Sequence, residues 1–270
     1  MNILLLVGAD GWLGSSIKKE ISKSFLKSLE IDVLLFHSKT SNNSFDEEIP
    51  QGNILTRNIF GDFRKKKAFA ELNEILQNLN TNKLYVICTL GIIHPKKYRE
   101  FFDINFYAIK RIYKICSDFN LIKFTYISSN SPFGFNNSGE SFDEKSKYRP
   151  YGGYGKSKMM AEKFLLNLNK KNVITILRAP WFHGKNMPLR QKKFLINASM
   201  GRFPVIAFGN NIRSIINVKD LAIASLMVTS HKRKFQIYWI CENNKSISKI
   251  MKLIQYVAYK KGYTKGNLKN

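Results

Sequence analysis

Short apolar runs separated by longer amphipathic segments form the dominant pattern along this chain. Each run is apolar on both faces of an extended strand, which is typical of a parallel sheet covered on both sides. The predicted strands occupy 2–8, 32–37, 83–90, 123–129, 172–179 and 235–241. Segments of helical length lie between them, at 65–79, 98–118, 154–169 and 218–230. This alternation predicts an α/β fold with a doubly wound parallel sheet.

The first predicted strand runs directly into three glycines that are spaced three residues apart. Gly8, Gly11 and Gly14 lie between the strand and a helix that is predicted to begin at about Trp12. Unpaired N–H groups at a helix N-terminus attract anions, and glycine lets the backbone approach a pyrophosphate closely. The turn, including Trp12 and Leu13, is therefore a candidate dinucleotide site. A tight turn without a ligand is the alternative.

Residues at the end of the second predicted strand bear on the choice of dinucleotide. The stretch FHSKT contains no acid that would bind the ribose 2′-hydroxyl of NAD, whereas Ser38 and Lys39 can receive a 2′-phosphate. This favours NADP, with NAD as the alternative, although Lys39 can also be an ordinary surface lysine. Asp62 follows a turn, where it can accept a hydrogen bond from an adenine amino group or cap the next helix.

Tyr154 and Lys158 lie four residues apart at the start of a predicted helix. This spacing places both side chains on one helical face. A phenol with a pKa of about 10 is a poor acid or base at neutral pH. A neighbouring ammonium, together with a cationic nicotinamide, would lower that pKa and allow proton exchange with a hydroxyl. Tyr256 and Lys260 have the same spacing, so the pair alone does not establish a site.

Five motifs taken in order are more specific than any one of them. They are GADGWLG, ISSNSPFG (127–134), YGKSK (154–158), LRAPWFHG (177–184) and IRSIINVKDLA (212–222). The chain from Met1 to about Cys241 resembles the extended short-chain dehydrogenase/reductase superfamily, in the NAD(P)-dependent epimerase/dehydratase branch. The resemblance implies a Rossmann-type domain over 1–178, completed by about 213–241, and a small C-terminal substrate-binding lobe. The lobe would comprise 179–212 and 242–270.

The resemblance also implies roles for individual residues. Ser129 would hydrogen-bond the substrate oxygen, Tyr154 would act as acid and base, and Lys158 would support Tyr154 and bind the nicotinamide ribose. Asn105 matches an asparagine in the family's central helix. The remaining positions are Gly8, Gly11 and Gly14 for the nucleotide, Asp62 for the adenine and Arg213 for the diphosphate of a nucleotide sugar, a role that suits a guanidinium.

Departures from the family pattern limit the expected reaction. Sugar 4,6-dehydratases have two acids after the serine, but this chain has Asn130 and Ser131, which are expected to contact substrate without driving elimination of water. His183 is a further candidate substrate contact, although a loop histidine can equally be structural. Ser214 follows Arg213 where the family usually has an acid. The chain is also shorter than most members.

Composition narrows the classes of partner. The net charge is +25, yet lysines are spread along the whole chain, so nucleic-acid binding is not expected as the main function. No run approaches the roughly 18 apolar residues of a membrane span, and the opening run is too short for a signal peptide. A cytoplasmic protein is therefore expected. Cys88, Cys116 and Cys241 show no metal-ligand spacing, and no metal is expected.

Three hypotheses follow. The first is an epimerase of a nucleotide-activated sugar, in which Tyr154 removes a proton while NAD(P)⁺ takes a hydride and later returns it. The second is an NADPH-dependent reductase of a keto sugar or another small carbonyl compound. The third is a dinucleotide-sensing or nucleic-acid-binding protein without catalysis. Many members of the family dimerise through helices equivalent to 98–118 and 154–169, and the oligomeric state stays open.

Overall fold

The computed structural model describes most of the chain, in seven stretches. They are residues 1–39, 54–135, 141–143, 145–168, 173–204, 207–231 and 235–263. The chain divides into two compact units, which are described separately. Unit 1 contains Met1–Ala179 and Lys219–Ile240, and unit 2 contains Pro180–Val218 and Cys241–Asn270.

Unit 1 is built on a parallel sheet with helices between its strands. Its strands are β1 Asn2–Val7, β2 Val33–Ser38, β3 Leu55–Phe60, β4 Lys83–Cys88, β5 Leu121–Ser129, β6 Ile174–Ala179 and β9 Gln236–Trp239. Its helices are α1 Trp12–Glu20, α2 Lys23–Ser28, α3 Lys66–Asn78, α4 Glu100–Phe102, α5 Ile109–Ser117, α6 Gly152–Asn167 and α8 Val218–Ser230, whose first residue belongs to unit 2. A π-helical segment, Asp103–Ala108, joins α4 to α5.

The strand order is β3-β2-β1-β4-β5-β6-β9, with every neighbouring pair parallel. Every residue of β1 is buried, because helices cover both faces of the sheet. The strand order reverses between β1 and β4, so a crevice opens at the carboxyl ends of these two strands. The predicted doubly wound α/β fold is confirmed.

Strand β3 is the element of this sheet that the hydrophobic pattern missed. It lies at the edge, and five of its six residues are exposed, so it has no apolar run that would mark it as a strand. The six predicted strands are all present. Residues 40–53, between β2 and β3, lie outside the described residues.

Unit 2 contains a three-stranded sheet and two helices. The strands are β7 Trp181–His183, β8 Ile212–Asn217 and β10 Asn243–Ser246, in the order β10-β8-β7, and the helices are α7 Leu189–Ser199 and α9 Ile247–Lys260. Helix α7 is not among the helices that the hydrophobic pattern predicted. This helix buries only Ala198 fully, so its apolar pattern is weak. Strand β8 pairs within this small sheet and does not extend the large one.

Among the residues that the structure describes, no helix is both long and apolar enough to cross a membrane.

A buried ion pair ties the middle of unit 1 together. Glu162 on α6 is fully buried and accepts hydrogen bonds from Arg178 of β6 at 2.9 Å and 3.1 Å. Its carboxylate also accepts from Tyr148 at 2.7 Å and from Ser128 of β5. The Arg178 guanidinium lies 4.4 Å from the centre of the Phe133 ring. Because every oxygen of Glu162 is bonded, the pair holds α6 against two strands despite its cost of desolvation.

Replacing Glu162 with alanine should lower the free energy of unfolding by about 3–5 kcal/mol, since Arg178 would stay buried without its partner. Urea unfolding followed by circular dichroism measures this difference. Glu71→Ala is the matched control, because Glu71 pairs with the exposed Lys67 at 3.5 Å and should contribute less than about 1 kcal/mol. Equal losses in the two variants would contradict the assignment.

Candidate active site

The glycine-rich turn after β1 has the shape that a pyrophosphate site requires. Gly8 has a φ of 84°, which favours glycine. A Cβ on Gly14 would lie 2.0 Å from the carbonyl oxygen of Gly8, so only glycine allows α1 to approach the turn this closely. The N–H groups of Gly8 and Ala9 donate to the carbonyl of His37 at 3.1 Å and 2.8 Å, which ties the turn to β2.

Helix α1 presents its N-terminus at this turn. Gly11 is the N-cap, no side chain caps the helix, and the first turn contains no acidic residue. The N–H groups there are therefore available to an anion, and the helix dipole adds positive potential. Trp12 and Leu13 contribute the first two helical residues, and the Leu13 side chain is buried in the core. The turn fits the diphosphate of a dinucleotide.

A cleft extends from this turn across the carboxyl ends of the strands. Its lining includes Gly8 and Gly11 of the turn, His37 of β2, Lys39 just after β2, Asp62 to Arg64 after β3, and Thr89 to Ile92 after β4. Thr89 donates to the carbonyls of Val7 at 2.9 Å and Gly8 at 3.1 Å. All of these residues belong to unit 1.

Charged side chains surround the end of the cleft next to β2. Arg64 donates through Nε to both carboxylate oxygens of Asp62 at 3.0 Å, and through a terminal nitrogen to Glu100 at 2.6 Å. The hydrogen bonds from Arg64 hold the pKa of Asp62 below its usual range. The Lys39 Nζ atom lies 4.0 Å from Asp62. Ser38 ends β2 between His37 and Lys39, and its carbonyl accepts from Gly61 at 2.9 Å.

Asp62 is not a helix cap. The N-cap of α3 is Lys65, and the Asp62 carboxylate accepts instead from the backbone N–H of Arg64 at 3.0 Å. A carboxylate held in place at the wall of the cleft suits the predicted contact with an adenine amino group, which stays a prediction.

His37 forms the floor of this end of the cleft in its neutral form. Its Nε2 donates to the carbonyl of Gly61 at 3.0 Å, and its ring stacks on Phe63 with centroids 4.0 Å apart. Its Nδ1 is buried and has no hydrogen-bond partner among the residues that the structure describes. Burial lowers the pKa of His37 to about 4, because an imidazolium would lose its hydration there.

This pKa predicts a pH dependence of stability. Between about pH 6.5 and pH 4 the unfolded chain binds a proton at His37 that the folded chain does not. Stability is therefore complete above this window and falls with decreasing pH by up to about 1.4 kcal/mol per unit. Urea unfolding of wild type and His37→Phe across pH 4.5–7.5 should show this extra slope only in the wild type. Parallel curves would contradict it.

The predicted catalytic side chains lie at the ends of β5 and α6. Ser129 is the last residue of β5, and Tyr154 and Lys158 lie in the first two turns of α6. The Ser129 hydroxyl lies close enough to the Tyr154 phenol to influence the pKa of Tyr154. Lys158 is buried, donates through Nζ to the carbonyl of Ile127 at 2.9 Å, and lies 4.8 Å from the centre of the Tyr126 ring.

Burial is the main influence on the pKa of both Tyr154 and Lys158. Burial raises the pKa of Tyr154 to about 12, and the hydrogen bond from Ser129 acts in the opposite direction. Burial lowers the pKa of Lys158 to about 8, while the carboxylate of Glu162 acts in the opposite direction. Tyr154 is thus a neutral phenol at pH 7, and a further positive charge beside it would be needed to make it a base.

Asn105 connects these catalytic residues to the cleft. It is fully buried in the π-helical segment, accepts from the N–H of Ile92 at 2.7 Å and donates to its carbonyl at 3.0 Å. It also donates at 3.0 Å to Ser157, the residue before Lys158. A Cβ on Gly91 would lie 3.3 Å from the Lys158 Nζ atom. The loop that lines the cleft therefore also borders Lys158.

The predicted substrate contacts are divided between the two units. In unit 1 the Ser129 hydroxyl lies 3.3 Å from Asn130 Oδ1 and 3.1 Å from Ser131 Oγ. In unit 2, His183 ends β7 with its Nε2 3.5 Å from a carboxylate oxygen of Glu242. Arg213 lies on β8 opposite Lys245 of β10. The roles of these four residues stay predictions.

Comparison with known proteins identifies the family. The model of the NAD dependent epimerase/dehydratase family matches residues 4–241. The chain belongs to this family. It is therefore an enzyme of the short-chain dehydrogenase/reductase type, and the resemblance inferred from the five motifs is confirmed.

Individual members of the epimerase/dehydratase family resemble the chain to different extents. The uncharacterized protein y4nL of Sinorhizobium fredii (strain NBRC 101917 / NGR234) is 29% identical over 95% of this chain and 72% of its own length. The ADP-L-glycero-D-manno-heptose-6-epimerase of Brachyspira hyodysenteriae (strain ATCC 49526 / WA1) is 29% identical over 64% of this chain, spanning 51% of that protein. The structure of MoeE5 in complex with UDP-glucose and NAD has a TM-score of 0.72 and 19% identity, over 96% of this chain and 82% of that chain.

Sequence reasoning missed several residues of this epimerase/dehydratase site. Arg64 stands two residues after Asp62, and a basic residue so close to the predicted adenine contact was a usable signal. Ser157 lies inside the quoted YGKSK motif, but only its contact with Asn105 shows what it does. Thr89 and His37 give no pattern in the sequence, because their contacts depend on how the strands are ordered.

Proposed function

We propose that the protein is an NAD(P)-dependent epimerase of a nucleotide-activated sugar. The observation that supports this most strongly is the continuity of the site within unit 1. One loop, Gly91 and Ile92, lines the dinucleotide cleft, is hydrogen-bonded by Asn105 and borders Lys158. Relatives named for nucleotide-sugar chemistry, such as the heptose-6-epimerase, support the substrate class.

The residues that would hold the cofactor follow from the geometry of the cleft. The turn from Gly8 to Gly14 and the N-terminus of α1 fit the diphosphate, since Gly14 lets α1 pack directly on the turn and the helix presents its N–H groups there. Asp62 would accept from the adenine, and Lys158 would donate to the nicotinamide ribose. When bound, the nicotinamide supplies the acceptance and return of a hydride.

Proton transfer would be the task of Tyr154. Its phenol oxygen would take the proton of a sugar hydroxyl, while the Ser129 hydroxyl holds the same sugar oxygen. The positive charge of Lys158 and of the oxidised cofactor would lower the pKa of Tyr154 from about 12 toward neutrality. Arg213 would bind the diphosphate of the sugar nucleotide, and Asn130, Ser131 and His183 would contact the sugar.

Elimination of water is not part of the proposal. Asn130 and Ser131 follow the catalytic serine, and neither side chain can exchange a proton near neutral pH. Glu162 does not replace the missing acids, because its carboxylate is fully engaged by Arg178, Tyr148 and Ser128.

A second candidate is an NADPH-dependent reductase of a keto sugar or another small carbonyl compound. Lys39 at the cleft and the lack of an acid at the end of β2 favour NADP(H), which commonly serves net reduction. An absorbance assay at the nicotinamide band separates the two candidates. Nucleotide sugars should give epimers without net absorbance change if the enzyme is an epimerase. Keto sugars or other small carbonyl compounds should oxidise NADPH stoichiometrically if it is a reductase.

Replacing Tyr154 with phenylalanine should lower kcat by at least about 100-fold, since the proton of the substrate hydroxyl would have no acceptor. Steady-state kinetics measure the loss, and NADPH fluorescence should show cofactor affinity unchanged within a factor of about three. Tyr256→Phe is the control, because Tyr256 has the same spacing to a lysine but is exposed on α9. Wild-type turnover in Tyr154→Phe would overturn the acid/base assignment.

Lys39→Asp tests the choice of cofactor. The substitution places a carboxylate where a 2′-phosphate would lie, so the ratio of NADPH to NADH affinity should fall by at least about tenfold. Isothermal titration calorimetry with both cofactors measures this ratio. Lys66→Asp on the surface of α3 is the control, because it changes the net charge of the protein by the same amount. An unchanged ratio would show that Lys39 does not contact the 2′-phosphate.

We also propose a homodimer through the helices of 98–118 and 154–169. The exposed rings of Tyr98 and Tyr107 on the first of these segments support it, because large apolar groups in solvent favour association. Analytical ultracentrifugation at micromolar concentration distinguishes a dimer from a monomer.

A further inference from the structure

The ammonium group of Lys158 is buried away from water. The side chain is 3% exposed, and its Nζ atom donates to the carbonyl of Ile127 at 2.9 Å. An ammonium group loses much of its hydration on burial, and this loss favours the neutral amine. The proposed reaction needs the charged form, because only that form lowers the pKa of Tyr154. A group beside Lys158 must therefore stabilise its positive charge.

The titratable neighbours of Lys158 on β4 and α6 stabilise this charge only in part. Cys88 of β4 is a neutral thiol near pH 7, because burial raises its pKa to about 11. Tyr154, one turn earlier on α6, is neutral as well, with a pKa of about 12. Glu162, one turn later, is charged, but its carboxylate is paired with the Arg178 guanidinium at 2.9 Å. None of these groups gives the ammonium a countercharge of its own.

The ring of Tyr126 lies against the ammonium group from β5. The Lys158 Nζ atom is over this ring, 4.8 Å from its centre, and Tyr126 is itself fully buried. The face of an aromatic ring attracts a cation, and the attraction is strongest where both groups are desolvated. The Tyr126 hydroxyl is buried and has no hydrogen-bond partner among the residues that the structure describes. It is thus the ring face of Tyr126, and not its hydroxyl, that contacts Lys158.

We propose that Tyr126 is a positioning residue that keeps the Lys158 ammonium charged and in place through the face of its ring. Two consecutive residues of β5 then hold Lys158, Ile127 by its carbonyl and Tyr126 by its ring. The same strand ends at Ser129, so it carries both the proposed substrate contact and the support of the charge. The catalytic consequence rests on the proposed function, whereas the contact itself is testable without substrate or cofactor.

Urea unfolding of the full chain at two pH values tests the contact on the protein alone. Tyr126→Leu removes the ring, so the pKa of Lys158 in the folded protein should fall by about one unit from its value of about 8. At about pH 6 Lys158 is charged in both folded proteins, and at about pH 9 it is mostly neutral in both. The increase that Tyr126→Leu causes in the equilibrium constant for unfolding should therefore be roughly eightfold larger at pH 6 than at pH 9.

Tyr126→Phe is the matched control, because it keeps the ring face and removes only the hydroxyl. Its effect on unfolding should be the same at both pH values. In a Lys158→Met background the effect of Tyr126→Leu should also lose its pH dependence, since the double-mutant cycle isolates the pair. If Tyr126→Leu does not fold, Tyr126→Met removes the ring with a longer, adaptable side chain. Equal effects of the ring deletion at pH 6 and pH 9, or the same pH dependence in Tyr126→Phe, would overturn the proposal.

The pH dependence of kcat tests the catalytic consequence. The kcat of the wild type should fall at alkaline pH as Lys158 loses its proton, and this decline should begin about one pH unit lower in Tyr126→Leu. Tyr126→Phe should follow the wild-type profile, whereas a simple packing defect would lower kcat equally at every pH. An unmoved decline in Tyr126→Leu would overturn the positioning role. Absence of turnover in the wild type would overturn the proposed function instead, and the unfolding measurements would still decide the contact.

Discussion

The candidate active site depends on the buried side-chain amide of Asn105. Asn105 has no contact with solvent, so each of its polar atoms needs a partner within the protein, and it finds them on two different elements. Its bonds to both backbone groups of Ile92 fix the loop after β4, and its bond to Ser157 fixes α6 one residue before Lys158. The π-helical segment gives Asn105 this position, and such segments are frequent at functional sites. The amide therefore sets the distance between the cleft and α6, the helix that carries Tyr154 and Lys158.

The buried ion pair of Glu162 and Arg178 holds α6 in place one helical turn after Lys158. It ties α6 to β5, which ends at Ser129, and to β6. Strand β6 ends at Ala179, the residue before unit 2 begins in the sequence. The contact of Ser157 with Asn105 and the contact of Glu162 with Arg178 thus position the part of α6 that carries Tyr154 and Lys158. The Tyr154 hydroxyl and the Lys158 ammonium are themselves buried. Burial raises the pKa of Tyr154 to about 12 and lowers that of Lys158 to about 8, so at pH 7 Tyr154 is neutral and Lys158 is still mainly charged.

The sequence predicted the large sheet well because buried strands are apolar on both faces. Gly8 and Gly14 were indicated by their spacing between a strand and a helix. Ser129, Tyr154 and Lys158 were indicated by the resemblance to the family, and their roles stay predictions. The sequence missed β3 and α7 because edge strands and partly exposed helices carry no strong hydrophobic pattern. It also missed Arg64 and the positioning role of Ser157. Those contacts join residues far apart in the chain, and only the fold brings them together.

Binding of a nicotinamide dinucleotide is the central claim, and direct titration tests it. NADPH, NADP⁺, NADH and NAD⁺ would each be titrated into the purified full chain and into Gly14→Val, in which the new side chain would occupy the turn. The account predicts saturable binding of at least one dinucleotide at one site per chain, and its loss in Gly14→Val with the fold intact by circular dichroism. Absence of binding to all four dinucleotides at millimolar concentration, or equal binding by Gly14→Val, would contradict it.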